Sequence, residues 1–269
     1  MLALGLSGLM AAGAVSHGQG TGSAWHESSY NRVRLVSGGD LGDARLAGIH
    51  IRLDPGWKTY WRMPGDAGVP PLADWSASVN AAQVEMLWPA PTRHVDPWAT
   101  TVGYVGEVVF PVVVTPADPA LPVSLRLTLT YAVCSDICIP VEAGLAVDLA
   151  PGEPGPDRAL IDSYRDTVPR AGTLADAGIA AMTVEGEGEA TRLVVDIAPS
   201  APGVEPDIFV EGPAAFYFGT PETTPAAAGR LRLAIPVDGV KADRPLAGTS
   251  LKLTVFNGER RVEHELSVN

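Results

Sequence analysis

From Tyr30 onward, apolar side chains recur at alternate positions in short runs, with polar or small residues between them. Tyr30 to Ser37 sets Val33 and Leu35 against Arg32 and Arg34. Arg45 to Leu53 sets Leu46, Ile49, Ile51 and Leu53 against polar or small neighbours. Successive side chains leave a strand on opposite faces, so this period of two predicts half-buried strands. The same reasoning predicts strands at Gln83 to Leu87, Glu107 to Thr115, Ser124 to Cys134 and Leu145 to Leu149. Pro111 has no N–H to give a ladder, which predicts an edge strand or a bulge at that point. Several short strands punctuated by Pro and Gly predict a β-sandwich.

The run Ala150-Pro151-Gly152-Glu153-Pro154-Gly155-Pro156 interrupts the pattern and reads as a linker. Asp157 is then a candidate N-cap for a short helix that puts Leu160, Ile161 and Tyr164 on one face and is ended by Pro169. A second β-rich region follows, with strands expected at Met182 to Glu185, Arg192 to Ile197, Asp207 to Val210, Arg230 to Ile235 and Leu251 to Phe256. Asn257-Gly258 between two alternating runs predicts a two-residue hairpin. The expected architecture is all-β. One sandwich spans about 25–150, a linker and short helix 151–174, and a second sandwich 175–269.

Composition narrows the function. With 24 Pro and 29 Gly that show no period, and 46% hydrophobic residues, the 269-residue chain reads as turn-rich and globular. A net charge of −12 and the absence of any Lys/Arg stripe argue against a nucleic-acid partner. Leu2 to Ala14 is an uncharged apolar run, and Ala12-Gly13-Ala14 offers a small-residue cleavage site. Residues 1–20 are therefore expected to be a signal peptide, although the usual basic residues ahead of the apolar run are missing. The run is shorter than the roughly 20 residues a spanning helix needs, so no stable membrane insertion of the mature chain is expected.

The only two cysteines, Cys134 and Cys138, lie in Tyr131-Ala132-Val133-Cys134-Ser135-Asp136-Ile137-Cys138-Ile139-Pro140. A strand with Leu125, Leu127, Leu129 and Tyr131 on one face runs into Cys134, and a three-residue loop leads to Cys138. Residues that face each other across a hairpin can form a disulfide, and an oxidising compartment favours one. Three readings stay open on these residues. A structural staple is one, yet loop entropy gives only about 2 kcal/mol for a five-residue ring. Thiol–disulfide exchange is the second. Binding of Cu(I), a soft ion, is the third; the five histidines form no close-spaced set that would complete a zinc site. No phosphate-binding glycine loop or nucleophile elbow is present, and no cofactor is implied.

Further stretches bear on the choice. They are Gly56-Trp57-Lys58-Thr59-Tyr60-Trp61-Arg62, Pro64-Gly65-Asp66-Ala67-Gly68, Asp74-Trp75, Trp88-Pro89-Ala90-Pro91 and, more weakly, Phe209-Val210-Glu211-Gly212-Pro213. Together with Leu127 to Tyr131 and the cysteine hairpin, they resemble the N-terminal domain of the periplasmic disulfide reductase DsbD family, in its ScsB-like group. The resemblance implies an immunoglobulin-like sandwich in the periplasm of a Gram-negative bacterium that passes electrons to thioredoxin-like oxidoreductases. It implies that Cys138 forms the mixed disulfide and Cys134 resolves it. It also implies a cap over the pair at about His94-Val95-Asp96-Pro97-Trp98-Ala99-Thr100, leading to Gly103-Tyr104, with Trp98 as the shield. Tyr60 and Trp61 match an aromatic strand near the family site, though their size favours the core. Asp136, between the cysteines, would raise a thiol pKa if close. The loop Ser135-Asp136-Ile137 is shorter than the family's. Full-length members continue into membrane and thioredoxin-like domains that this sequence does not contain. A membrane electron donor of the DsbD/CcdA kind is expected as a partner, separate if the chain is complete and once covalently attached if it is a fragment.

Overall fold

The computed structural model describes residues 22–96, 99–241 and 243–268; the predicted signal peptide and Trp98 lie outside them. The first half contains β1 (His26–Ser28), β2 (Asn31–Leu41), β3 (Ala44–Leu53), β4 (Lys58–Gly65), β5 (Leu72–Asp74), β6 (Ala81–Met86), β7 (Thr92–Val95), β8 (Thr100–Val105), β9 (Glu107–Pro116), β10 (Val123–Cys134) and β11 (Cys138–Leu149). One sheet has the order β1-β2-β3-β9-β6. The facing sheet has the order β11-β10-β4-β8-β7, with β5 also on β10. The chain then passes through α1 (Arg158–Arg165), β12 (Arg170–Ala171) and α2 (Leu174–Ala177). The second half has β13 (Ile179–Glu185), β14 (Arg192–Ile197), β15 (Asp207–Glu211), β16 (Tyr217–Phe218), β17 (Glu222–Pro225), β18 (Leu231–Asp238), β19 (Ser250–Asn257) and β20 (Arg260–Ser267). Its sheets run β12-β20-β19-β15 and β13-β14-β18-β16, with β17 on β18. The architecture is all-β, two immunoglobulin-like sandwiches in series.

The alternation read from the sequence becomes the core. Leu125, Leu127, Leu129, Tyr131 and Val133 of β10 are buried against Val33, Leu35, Ile49, Ile51 and Phe110 from the other sheet. Each such side chain removed from water contributes about 1.5–3 kcal/mol. Leu193, Val195, Leu233 and Ile235 face Ile208, Leu251, Leu253 and Val255 in the second sandwich.

Three local expectations need correction. Pro111 lies in β9, which pairs with both β3 and β6, so it is not in an edge strand. Its carbonyl accepts from Leu87 N–H just past the last pair of β6. A residue's N and O point to the same side, so the missing donor falls where the ladder has already ended. Asp157 occupies the N-cap position of α1, but its side chain makes no cap hydrogen bond and pairs with Arg34 instead. The Asn257-Gly258 hairpin forms, but its two loop residues are Gly258 and Glu259. Asn257 is the last residue of β19, and its buried amide donates to the carbonyls of Ala177 and Ala198 and accepts from Ser200 N–H.

The connecting segment is not a free tether. Pro154 bridges to Gly39, Gly152 N–H donates to Asp40 and Asp157 N–H to the Ser37 carbonyl. The predicted apolar face of α1 then docks on the outside of the first sandwich. Ile161 is wholly buried with Val36, Leu46 and Val109, flanked by Leu160 and Tyr164.

The sandwiches also touch directly. Phe209 of β15 is buried in the first core with its ring 5.1 Å from that of Trp61. Arg62 reaches Glu211 at 2.8 Å and also pairs with Glu263 and Thr254, and Arg93 makes a two-pronged pair with Asp207.

Docking of α1 sets a testable cost. Ile161→Ala should lower the stability of the full chain by about 2–5 kcal/mol in urea unfolding. A loss below about 1 kcal/mol would show that the helix is not part of the cooperative unit.

Candidate functional site

Along β10 the odd-numbered residues from Leu125 to Val133 face the core. Cys134 therefore points to the opposite face of the sheet, the side that carries the exposed Thr128 and Thr130. The hairpin pairs residue for residue from Val123↔Leu149 to Cys134↔Cys138, leaving Ser135, Asp136 and Ile137 as the loop, closed by Ser135 N–H donating to the Ile137 carbonyl. The two cysteines form a disulfide. Their surroundings differ sharply. Cys134 is 1% exposed, whereas Cys138 and the three loop residues are exposed.

An outer-face residue at a sheet end is buried only if something covers it. Tyr60 does so, packing with Ala132 and Cys134. Cys134 pairs in register with Lys58, so Lys58 and Tyr60, two residues apart on β4, share its face. The Tyr60 hydroxyl lies 3.7 Å from Cys138 Sγ. Gly68 lies close against the Tyr60 ring, where a Cβ would fall 2.6 Å from two ring carbons. Burial, with the nearby Asp96 carboxylate adding to it, raises the Tyr60 pKa and keeps the hydroxyl protonated.

Asp96 pairs with Lys58 at 3.0 Å and so ties the end of β7 to the cysteine row. His94 lies two residues before it, with a buried Nε2 that has no hydrogen-bond partner among the described residues. Burial and then the Lys58 ammonium lower its pKa against the opposing pull of Asp96, which favours the neutral imidazole. The segment Pro64 to Gly68 is held to the start of β8: Asp66 N–H donates to the Thr100 carbonyl at 2.8 Å, and Thr100 N–H donates to the Asp66 carboxylate at 2.7 Å.

The predicted site residues divide accordingly. Cys134, Cys138, Tyr60, Asp96 and His94 gather at one sheet end, and Asp136 is exposed at the hairpin tip. Trp61 and Tyr104 go to the core instead. Trp61 alternates away from Tyr60 and meets Phe209, and the Tyr104 hydroxyl donates to the Pro89 carbonyl at 2.8 Å. The pairing of Tyr60 and Trp61 as one aromatic feature is thus split by strand parity. Lys58, Asp66, Gly68 and Arg93 are not among the predicted site residues; period two from Tyr60 is the one sequence signal that points to Lys58. Among the described residues no group of three or more His, Cys, Asp or Glu side chains could hold a metal, and no helix is long and apolar enough to cross a membrane.

Residues 33–149 match the family model described as thiol:disulfide interchange protein DsbD, N-terminal, and residues 167–269 match a domain of unknown function (DUF8393). No curated protein matches the chain. Among solved structures, the N-terminal periplasmic domain of ScsB from Proteus mirabilis is similar over 93% of this chain and 100% of its own, at 23% identity and a TM-score of 0.71. That likeness extends the shared fold through both sandwiches. The segment matched by the DsbD N-terminal model encloses the whole cysteine hairpin, so it is the first sandwich that carries the similarity to that family.

Proposed function

We propose that the chain is a periplasmic thiol–disulfide exchange protein that passes reducing equivalents from a membrane electron donor of the DsbD/CcdA kind to thioredoxin-like proteins through Cys134 and Cys138. The observation that carries this reading is the asymmetry of the pair: one cysteine exposed at a hairpin tip, the other buried beneath Tyr60. In the reduced chain the Cys138 thiolate attacks a partner disulfide and forms a mixed disulfide, while one partner sulfur leaves as a thiolate. Cys134 then attacks Cys138 Sγ, closes the ring and releases the second partner thiol. Two electrons pass to the partner, and the chain ends as the disulfide. Exchange depends on access as well as on thiolate population, so the exposed cysteine, Cys138, is the one a partner can reach. In the reduced chain the Tyr60 hydroxyl can donate to the Cys138 thiolate and so raise the population of the attacking form.

A structural staple is less well supported. The unbroken β10–β11 ladder already holds its own ends together, so closing a five-residue ring adds less than the roughly 2 kcal/mol of the loop-entropy formula. The periplasmic setting rests on the apolar N-terminal run and on the similarity to a periplasmic domain.

Trapping tests the roles. Mixed with a thioredoxin-like partner that carries one active-site cysteine as an activated mixed disulfide, Cys134→Ser should form a lasting adduct quickly and Cys138→Ser slowly or not at all. The reverse ranking would exchange the roles, and inert variants beside an inert wild type would favour the staple. Tyr60→Phe tests the hydroxyl. It should fold normally and slow attack by Cys138 by roughly tenfold, near the lower end for a hydrogen bond to a charged group. An unchanged rate would reduce Tyr60 to a cover.

A further inference from the structure

The elements that surround the cysteine pair are anchored to the second sandwich at two places. The first anchor is on β7, which among the described residues is an edge strand paired only with β8. Arg93 leaves β7 one residue before His94 and three before Asp96, and crosses to β15. Its guanidinium donates to both Asp207 carboxylate oxygens at 3.0 and 3.1 Å and to the Ile208 carbonyl at 3.3 Å. It also lies 4.4 Å above the centre of the Phe209 ring. The Arg93 side chain is 17% exposed and that of Asp207 33%, so the pair is partly withdrawn from water, and the two-pronged geometry fixes direction as well as distance.

The second anchor is on the Pro64 to Gly68 segment, which packs on Tyr60. Asp66 ties that segment to Thr100 at the start of β8, and its other carboxylate oxygen accepts from the Tyr217 hydroxyl of β16. Both β7 and the start of β8 are therefore fastened, one directly and one through Asp66, to side chains of the second sandwich. Tyr60, which packs on the cysteines, Lys58, in register with Cys134, and Asp96, paired with Lys58, stand at the other end of those connections.

We propose that Asp207 and Tyr217 are positioning residues for the disulfide, and that the second sandwich serves to hold the cover of the cysteine pair in place. They do not touch the sulfurs. They act through Arg93 and Asp66 on the placement of Asp96 against Lys58 and of Tyr60 against Cys134 and Cys138. Loss of either anchor loosens the cover and gives a small thiol better access to the ring. This assignment rests on the exchange reading only for its biological purpose; access to the disulfide is measurable without any partner.

The experiment measures the rate at which dithiothreitol reduces Cys134–Cys138 in the full chain, by quenching and counting alkylated thiols. In this reaction the protein disulfide takes up two electrons and two protons, and dithiothreitol closes to its cyclic disulfide. Asp207→Asn should reduce three- to tenfold faster than wild type and Tyr217→Phe two- to fivefold faster, each with an unfolding midpoint like that of Asp196→Asn. That control removes an ion pair with Arg232 within the second sandwich. Asp207→Glu, which keeps the charge, should return to within twofold of wild type. Should Asp207→Asn fail to fold, Tyr217→Phe decides, because the Tyr217 side chain is 44% exposed and its ring carries little core packing. Rates for both variants within twofold of wild type would overturn the assignment. An inert wild type towards thioredoxin-like partners, with faster dithiothreitol reduction in the variants, would defeat the exchange reading and leave this one standing.

Discussion

Strand parity in β10 is the constraint on which the site depends. Alternate residues from Leu125 to Val133 must face the core to hold the two sheets together, so Cys134, one step further, has to face outward. A disulfide on that face would be open on all sides at the end of a sheet. Instead, Cys134 is buried and Cys138 is not, because β4 brings Lys58 into register with Cys134 and Tyr60 over it. The same parity sends Trp61 the other way. One strand thus supplies both the cover of the disulfide and the ring that meets Phe209 from the second sandwich.

This arrangement joins the two halves of the chain more closely than a proline-rich tether would. The register of β4 against β8 shifts between Tyr60 and Gly65, a bulge of the kind that re-aims side chains, and Arg62 within it reaches Glu211 and Glu263. Burial first disfavours the Arg62 charge, but its two carboxylate partners outweigh this and raise the pKa, so the guanidinium stays charged. A charge held between the sandwiches in this way is costly to strip of its partners. It favours a fixed relation between β4 and the second sandwich.

Much of this was legible in the sequence where the signal was periodic. The alternating runs at Val33–Leu35, Ile49–Leu53 and Leu125–Tyr131 all became core strands, and the three-residue loop between the cysteines formed as their spacing implied. The apolar face of α1 was also visible, as Leu160, Ile161 and Tyr164. What the helix packs on was not, because an amphipathic stripe names no partner. Strands β7 and β8 escaped notice because Thr92 to Val105 mixes polar, charged and small residues without a clean period. Arg93–Asp207 joins residues 114 apart in the sequence, and no local pattern distinguishes such an arginine from one on a solvated face. Asp157 and Asn257 had the right residue types for a cap and a turn, but tertiary partners claimed their side chains.

The central claim, that Cys134–Cys138 is a working redox couple, is tested most directly by its reduction potential, read from the thiol fraction of the full chain equilibrated in glutathione or dithiothreitol buffers. A short ring at an exposed hairpin tip, on a scaffold that holds together without it, should open at a potential above about −300 mV, within the range of exchanging disulfides. A potential well below that value, with loss of folded structure on reduction, would contradict the account and make the bond a structural one.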